Sequence, residues 1–175
     1  AGSAYERCVD LEPGYKEAWY NLGVVYGRQR KFSREIRAYR RALELDPAYI
    51  RAHYNLALAY EDMDRYPEAL KHYTRVLELD KASLDAWINQ GIVLVRLGEF
   101  EAAITSYRSA LNMAPDQAEL WYNLGVAYAR QSDMSKDAAE RSALNLDERE
   151  AYERALAIEP THFKAWYNLA IAFRK

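Results

Sequence analysis

The sequence predicts an all-α protein built by repetition, and three observations predict it. A short phrase, Ala18-Trp19-Tyr20-Asn21-Leu22-Gly23-Val24-Val25-Tyr26, returns from Ala52, Ala86, Leu120 and Ala165, aligning Trp19, His53, Trp87, Trp121 and Trp166 in steps of 34, 34, 34 and 45. A second phrase interleaves in the same steps and aligns Tyr5, Tyr39, Tyr73, Tyr107 and Tyr152; eight residues past each stands Pro13, Pro47, Lys81, Pro115 or Pro160. Only 7 Gly and 5 Pro in 175 residues leave little material for a loop-rich or all-β chain.

Each phrase is helical by its spacing. Trp19, Leu22, Gly23 and Tyr26 fall at i, i+3, i+4 and i+7, one face of a 3.6-residue period. Phe32, Ile36, Tyr39, Ala42 and Leu43 form a similar stripe in the second phrase. Pro47 ends that helix, because Asp46 before it is biased out of the helical region and proline has no N–H to give. Pro67 opens the matching helix of the next copy, where a missing donor costs nothing. Gly23, Gly91 and Gly125, replaced by Ala57 and Ala170 in the other copies, stand where paired helices approach most closely.

The combination W-x-x-L-G-x-x-Y, then an aromatic residue and an alanine, then proline at a period of 34, resembles the tetratricopeptide repeat over nearly the whole chain. The resemblance implies an α-solenoid: antiparallel helix pairs stacked into a right-handed superhelix, with a concave groove lined by the first helices. Complete repeats fall at 16–49, 50–83, 84–117 and 118–162. Residues 1–15 read as a second helix without its first, to which Ala1 and Ala4 are suited, and 163–175 as a first helix without its second. The natural protein is therefore expected to continue in both directions. The two half-repeats also predict head-to-tail self-association, with 163–175 of one molecule docking on 1–13 of the next.

Several positions depart from the pattern. His53 replaces Trp, Gln90 replaces Leu, Lys81 replaces Pro, and Glu35 replaces a small residue. These read as tolerated drift, since stacked repeats share their core with their neighbours. Lys81 is expected to let its helix run on toward the next, and Glu35 to turn outward or pair with a neighbouring Arg. The fourth repeat carries 11 extra residues within 131–146. That length is close to three helical turns. Asp137 and Arg141 would then face the core, so a protruding loop is predicted, with at most a turn or two of helix at 136–144. Asp147 reads as the N-cap of the following helix, with Glu150 completing a capping box.

Composition excludes several classes of function. The net charge of −2 gives no pull toward nucleic acid or anionic membrane. Cys8 is the single cysteine, read as a buried small hydrophobe, which mildly favours a reducing, cytoplasmic setting. No phosphate loop, nucleophile elbow or H-E-x-x-H is present, and His53, His72 and His162 have no metal-ligand spacing with Cys8. Glu61, Asp62 and Asp64 lack the glycine and terminal Glu of a calcium loop and read as a solvated turn. No catalytic, cofactor or metal site is predicted, and the chain is not read as an enzyme.

The first helices have a second apolar face, carrying Tyr20, Tyr54, Tyr122 and Tyr167 with Val24, Leu58, Ile92, Val126 and Ile171, which predicts burial on two sides. At its centre stands Asn21, repeated as Asn55, Asn89, Asn123 and Asn168 in every copy. An amide both donates and accepts, so a row of them can bracket the backbone of an extended peptide. This resembles the asparagine ladder of O-GlcNAc transferases and, more loosely, the peptide-binding asparagines of peroxisomal import receptors; the plainer reading is local bonding between repeats. A carboxylate clamp fits poorly, because Tyr20, Val24, Asp85 and Asn89 hold its basic positions. Arg28, Arg96 and Arg130 share one position near the groove edge and are candidates for a basic rail, whereas Arg37, Arg40 and Arg41 read as a solvated outer face. The predicted binding residues are thus the five asparagines, Tyr20, Tyr54, Tyr122 and these three arginines. The function read from them is a protein-interaction scaffold holding an extended peptide or partner helix. The alternatives are a targeting arm of a larger enzyme, such as a glycosyltransferase, or a structural subunit of an assembly.

Overall fold

The computed structural model describes residues 2–175, so the helical setting expected for Ala1 lies outside the described residues. These residues form α1 (Gly2–Leu11), α2 (Lys16–Arg28), α3 (Phe32–Leu45), α4 (Ile50–Glu61), α5 (Tyr66–Leu79), α6 (Leu84–Leu97), α7 (Phe100–Met113), α8 (Ala118–Met134), α9 (Ala138–Ile158) and α10 (Phe163–Ala172), with no strand among them. The chain divides into two compact units, Ala1–Ala86 and Trp87–Lys175. No helix is long and apolar enough to cross a membrane.

Within each unit the helices pack as pairs, and the pairs are antiparallel. A Cβ added at Gly23 would meet the Tyr39 ring at 2.5 Å, and one at Gly27 would meet Glu35 Oε1 at 2.5 Å, so α3 recedes four residues as α2 advances four. The same key recurs in the second unit: Gly91 lies against Tyr107 (2.6 Å) and Gly125 against Tyr152 (2.6 Å). Glycine lets the tyrosine ring approach the backbone closely at these three positions, whereas Ala57 stands at the same position in the second copy. In the first unit α1 completes the stack, with Tyr5, Cys8, Trp19 and Tyr26 around a core of Val9, Ala18, Leu22 and Ala38. Cys8 is half-buried at the rim of that cluster, not fully inside it. In the second unit Tyr152, Ala155, Leu156, Ala165 and Leu169 form a core flanked by Trp121, Tyr122 and Val126.

Three local expectations are corrected. First, α5 stops at Leu79 despite Lys81. Asp80 takes φ −143°, as Asp46 takes −141°. The side chain of each accepts the N–H two residues on, at 3.0 Å, so the aspartate turns the chain without proline. Second, Glu35 does not turn outward and makes no ion pair among the described residues; it is only 8% exposed. Third, the insertion is a lengthened helical hairpin. α8 runs to Met134, only 135–137 turn, and α9 then continues through Asp147 without a break. The cap is Asp137, whose carboxylate accepts from Ala139 N at 3.0 Å, so it never faces the core, and Arg141 is exposed beside it. Three whole turns lengthen the pair while keeping its packed face in register.

Candidate functional site

The asparagines sit mid-way along the first helices and all five are half-buried. Two spend a donor on the tyrosines beneath them: Asn55 Nδ2 donates to Tyr20 Oη at 2.9 Å, and Asn168 Nδ2 to Tyr152 Oη at a longer 3.4 Å. Both local bonding and ligand bonding are open to such an amide, because its carbonyl and second N–H remain. Tyr20 is 7% exposed, wedged 5.8 Å from the Tyr39 ring and 5.4 Å from that of Tyr49, with Arg51 over its face at 4.6 Å. Its ring therefore orients Asn55 from below and offers no surface of its own. Tyr54 and Tyr122 are half-buried and pack edgewise or tilted on Tyr73 (5.9 Å) and Tyr152 (6.0 Å). Burial pushes the Tyr39 and Tyr152 phenols up, so each stays a neutral donor and acceptor under its asparagine.

The aligned tryptophans have a different task. The indole N–H groups of Trp19, Trp121 and Trp166 donate to the carbonyls of Pro13, Pro115 and Pro160 at 2.9, 2.8 and 2.9 Å, closing the preceding turn. His53 takes over that bond, with Nε2 3.1 Å from Pro47 O. A carbonyl only accepts, so Nε2 carries the proton and Nδ1 is left as an acceptor for His72 Nδ1–H at 2.9 Å. Gln90 is resolved in the same manner: Ser106 Oγ donates to its Oε1 at 2.9 Å inside the packing. His72 and Ser106 occupy one repeat position, where Ala38 and Ala151 stand in the other copies. Sequence reading took His53 and Gln90 as drift; the signal for their partners was that second column.

A second buried acid, Glu148, was missed. Glu148 shares the repeat position of Glu35, Ala69 and Ala103. It is 2% exposed and meets Lys175 Nζ at 3.1 Å. Glu35 has no such partner, and burial first, then Asp62, push its carboxyl up to about 7. Arg28, Arg96 and Arg130 are exposed, but the second copy of their position holds Asp62 and the fifth Lys175, so the rail is not uniform.

Two further clefts lie between second helices. One of about 690 Å³ in the first unit is lined by Arg40, His53, Lys71, His72, Arg75 and their neighbours. Its counterpart of about 390 Å³ in the second unit has Trp121 where the first has the smaller His53. No group of three or more metal-ligating side chains occurs among the described residues.

Similarity to known proteins agrees with this repeat geometry. Tetratricopeptide-repeat profiles match residues 16–49, 50–82 and 151–175, and a TPR-repeat profile matches 91–132. No curated protein matches the sequence. Among solved structures, a MamA protein superposes with TM-score 0.79 at 22% identity, over 94% of this chain and 84% of that one. MamA 41-end from Desulfovibrio magneticus RS-1 superposes at 0.78 and 18% identity, over 90% and 82%. Identities this low carry the fold alone, and with four repeats matched across most of its length the chain is a tetratricopeptide-repeat protein.

Proposed function

We propose that the chain is a non-catalytic interaction scaffold that binds an extended peptide along the asparagine-bearing faces of its first helices. Proteins of this repeat family mediate protein–protein contacts. The observation that carries the finer reading is the recurrence of Asn21, Asn55, Asn89, Asn123 and Asn168, half-buried in every copy. Buried tyrosines hold two of these amides, Asn55 and Asn168, in fixed orientation. Such amides grip a peptide backbone without selecting side chains. Selectivity then falls to the half-buried Tyr54 and Tyr122 and the exposed Arg28, Arg96 and Arg130 at the margin. The test is the triple variant Asn55→Ala, Asn89→Ala, Asn123→Ala screened against a random-peptide library. Capture is expected to fall at least tenfold while helicity and melting stay near wild type. Undiminished capture, or capture lost only on removing the lengthened hairpin, would refute the reading.

Self-association is a second reading, supported by α10 and the residue that caps it, which expose Phe163 (78%), Trp166 (55%), Tyr167 (61%) and Phe173 (60%). A second copy offering α1 would cover that face. Sedimentation showing only monomer at millimolar concentration would exclude it.

A further inference from the structure

Two repeat positions, read across the copies, single out one unbalanced station. Positions 35, 69, 103 and 148 hold Glu, Ala, Ala and Glu, and positions 28, 62, 96, 130 and 175 hold Arg, Asp, Arg, Arg and Lys. The second unit shows what the two columns do together. Glu148 on α9 is met by Lys175, just past α10, with Nζ 3.1 Å from its carboxylate and 3.3 Å from Asp133. In the first unit Glu35 on α3 stands at the station of Glu148. The residue after α4 that corresponds to Lys175 is Asp62. Charge is reversed where an ammonium is needed.

We propose that Glu35 and Asp62 form a receptor for one basic side chain, lysine or arginine, of a bound peptide. The proposal rests on the peptide-binding reading above and adds a charge preference to it.

Three observations carry it. Glu35 is 8% exposed and seated against Gly27; its carboxylate has no hydrogen bond or ion pair among the described residues, and its oxygens keep a narrow opening to solvent. A buried anion without a partner is costly to the fold, whereas one that a ligand neutralises contributes to binding. Second, the surroundings match a station that does hold an ammonium. Around Glu148 a cleft of about 250 Å³ is lined by Val126, Ala129, Arg130, Asp133, Tyr152, Asn168, Ile171 and Lys175. The counterparts in the first unit are Val24, Gly27, Arg28, Tyr39, Asn55, Leu58 and Asp62, with Arg28 exposed at the margin. A four-carbon lysine stem is thus exchanged for one methylene, and Ala for Gly, so the first unit supplies no ammonium of its own from that position. Third, Asn55 belongs to the same group of side chains, so a peptide held by that amide passes the station.

The test reads the Glu35 carboxyl by carbon-13 NMR on the full chain, with Nα-acetyl-lysine methylamide as probe and Nα-acetyl-norleucine methylamide as its uncharged match. The Glu35 midpoint is expected to fall by about one pH unit or more on saturation with the lysine derivative, the usual effect of an opposite charge within contact. The norleucine derivative is expected to leave it in place. Asp62→Lys, which copies Lys175, is expected to lower the midpoint without any probe and to abolish the response. An unmoved midpoint with the lysine derivative overturns the proposal, as does an equal shift with norleucine or with magnesium. Because this readout needs no peptide, it fails separately from the asparagine reading. Loss of library capture in the triple asparagine variant, with Glu35 indifferent to lysine, would leave the scaffold standing and remove only the basic-side-chain preference.

Discussion

Three departures from the repeat pattern, His53, Gln90 and Glu35, place a polar group in the packing, and the cost of each depends on what it meets. His53 and Gln90 meet a donor across the helix pair; Glu35 meets none. The consequence for pH is a pair of opposed titrations. Glu35 is raised from 4.5 to about 7, so the folded chain holds the proton longer than the unfolded one. Its contribution is complete below pH 4.5 and is lost as pH rises through about 7. Glu35→Gln is therefore expected to raise stability at pH 8 by about 2–3 kcal/mol and to change it little at pH 4.5, by urea denaturation at both values. His72 has the opposite sign. Burial, then His53, hold it down at about 4 against an ordinary 6.5, so its contribution is present above 6.5 and fades as pH falls toward 4.

Among the elements, α8 and α9 show how a solenoid takes an insertion. The other first helices end near a left-handed residue: Arg30 at φ 56°, Asp64 at 55° and Gly98 at 80°. The fourth copy has Ser132 at that position, still helical, 1% exposed, with its Oγ donating to Asn145 at 2.6 Å. Removing residues 132–142 takes out three turns and leaves both packed faces in phase. That deletion is expected to keep the helical circular dichroism per residue and to cost only about 1–2 kcal/mol, the worth of the lost Ser132 bond and the Asp133 contact. A collapse of helicity would mean that the hairpin tip holds its unit together. The left-handed sites offer a gain instead. Arg30→Gly is expected to stabilise by about 0.5–1 kcal/mol, because only glycine takes that conformation without a Cβ penalty.

At the scale of the whole chain, the two units carry unequal liabilities. The histidine pair lies in Ala1–Ala86, and the corresponding positions of Trp87–Lys175 hold Trp87 with Ser106 and Trp121 with Ala151. In the Glu35→Gln background, where the opposing titration is gone, acid is expected to loosen the first unit ahead of the second between pH 6.5 and 4. Amide exchange by mass spectrometry, corrected for intrinsic rates, reads this directly. His72→Ala, which restores the residue of Ala38 and Ala151, is expected to flatten the difference. Packing runs between consecutive helices, or next-but-one, in both units. Stability is then close to a sum of local terms, and such a loosening can stay within one unit.

Helix count, facing, the small-residue positions of closest approach and the asparagine row were all legible in the sequence. Each follows from residues within one turn of each other, or from a period that repeats five times. Tertiary structure alone decided which polar departures find partners. His53 with His72 spans 19 residues, Gln90 with Ser106 spans 16, and Glu148 with Lys175 spans 27. It also decided that the insertion is a hairpin capped by Asp137, since the outward-facing alternative becomes visible only when both helices lengthen together. Periodicity fixes which face of a helix is buried. What a buried charge touches is set by the distance between side chains on different helices, and no local pattern encodes that distance.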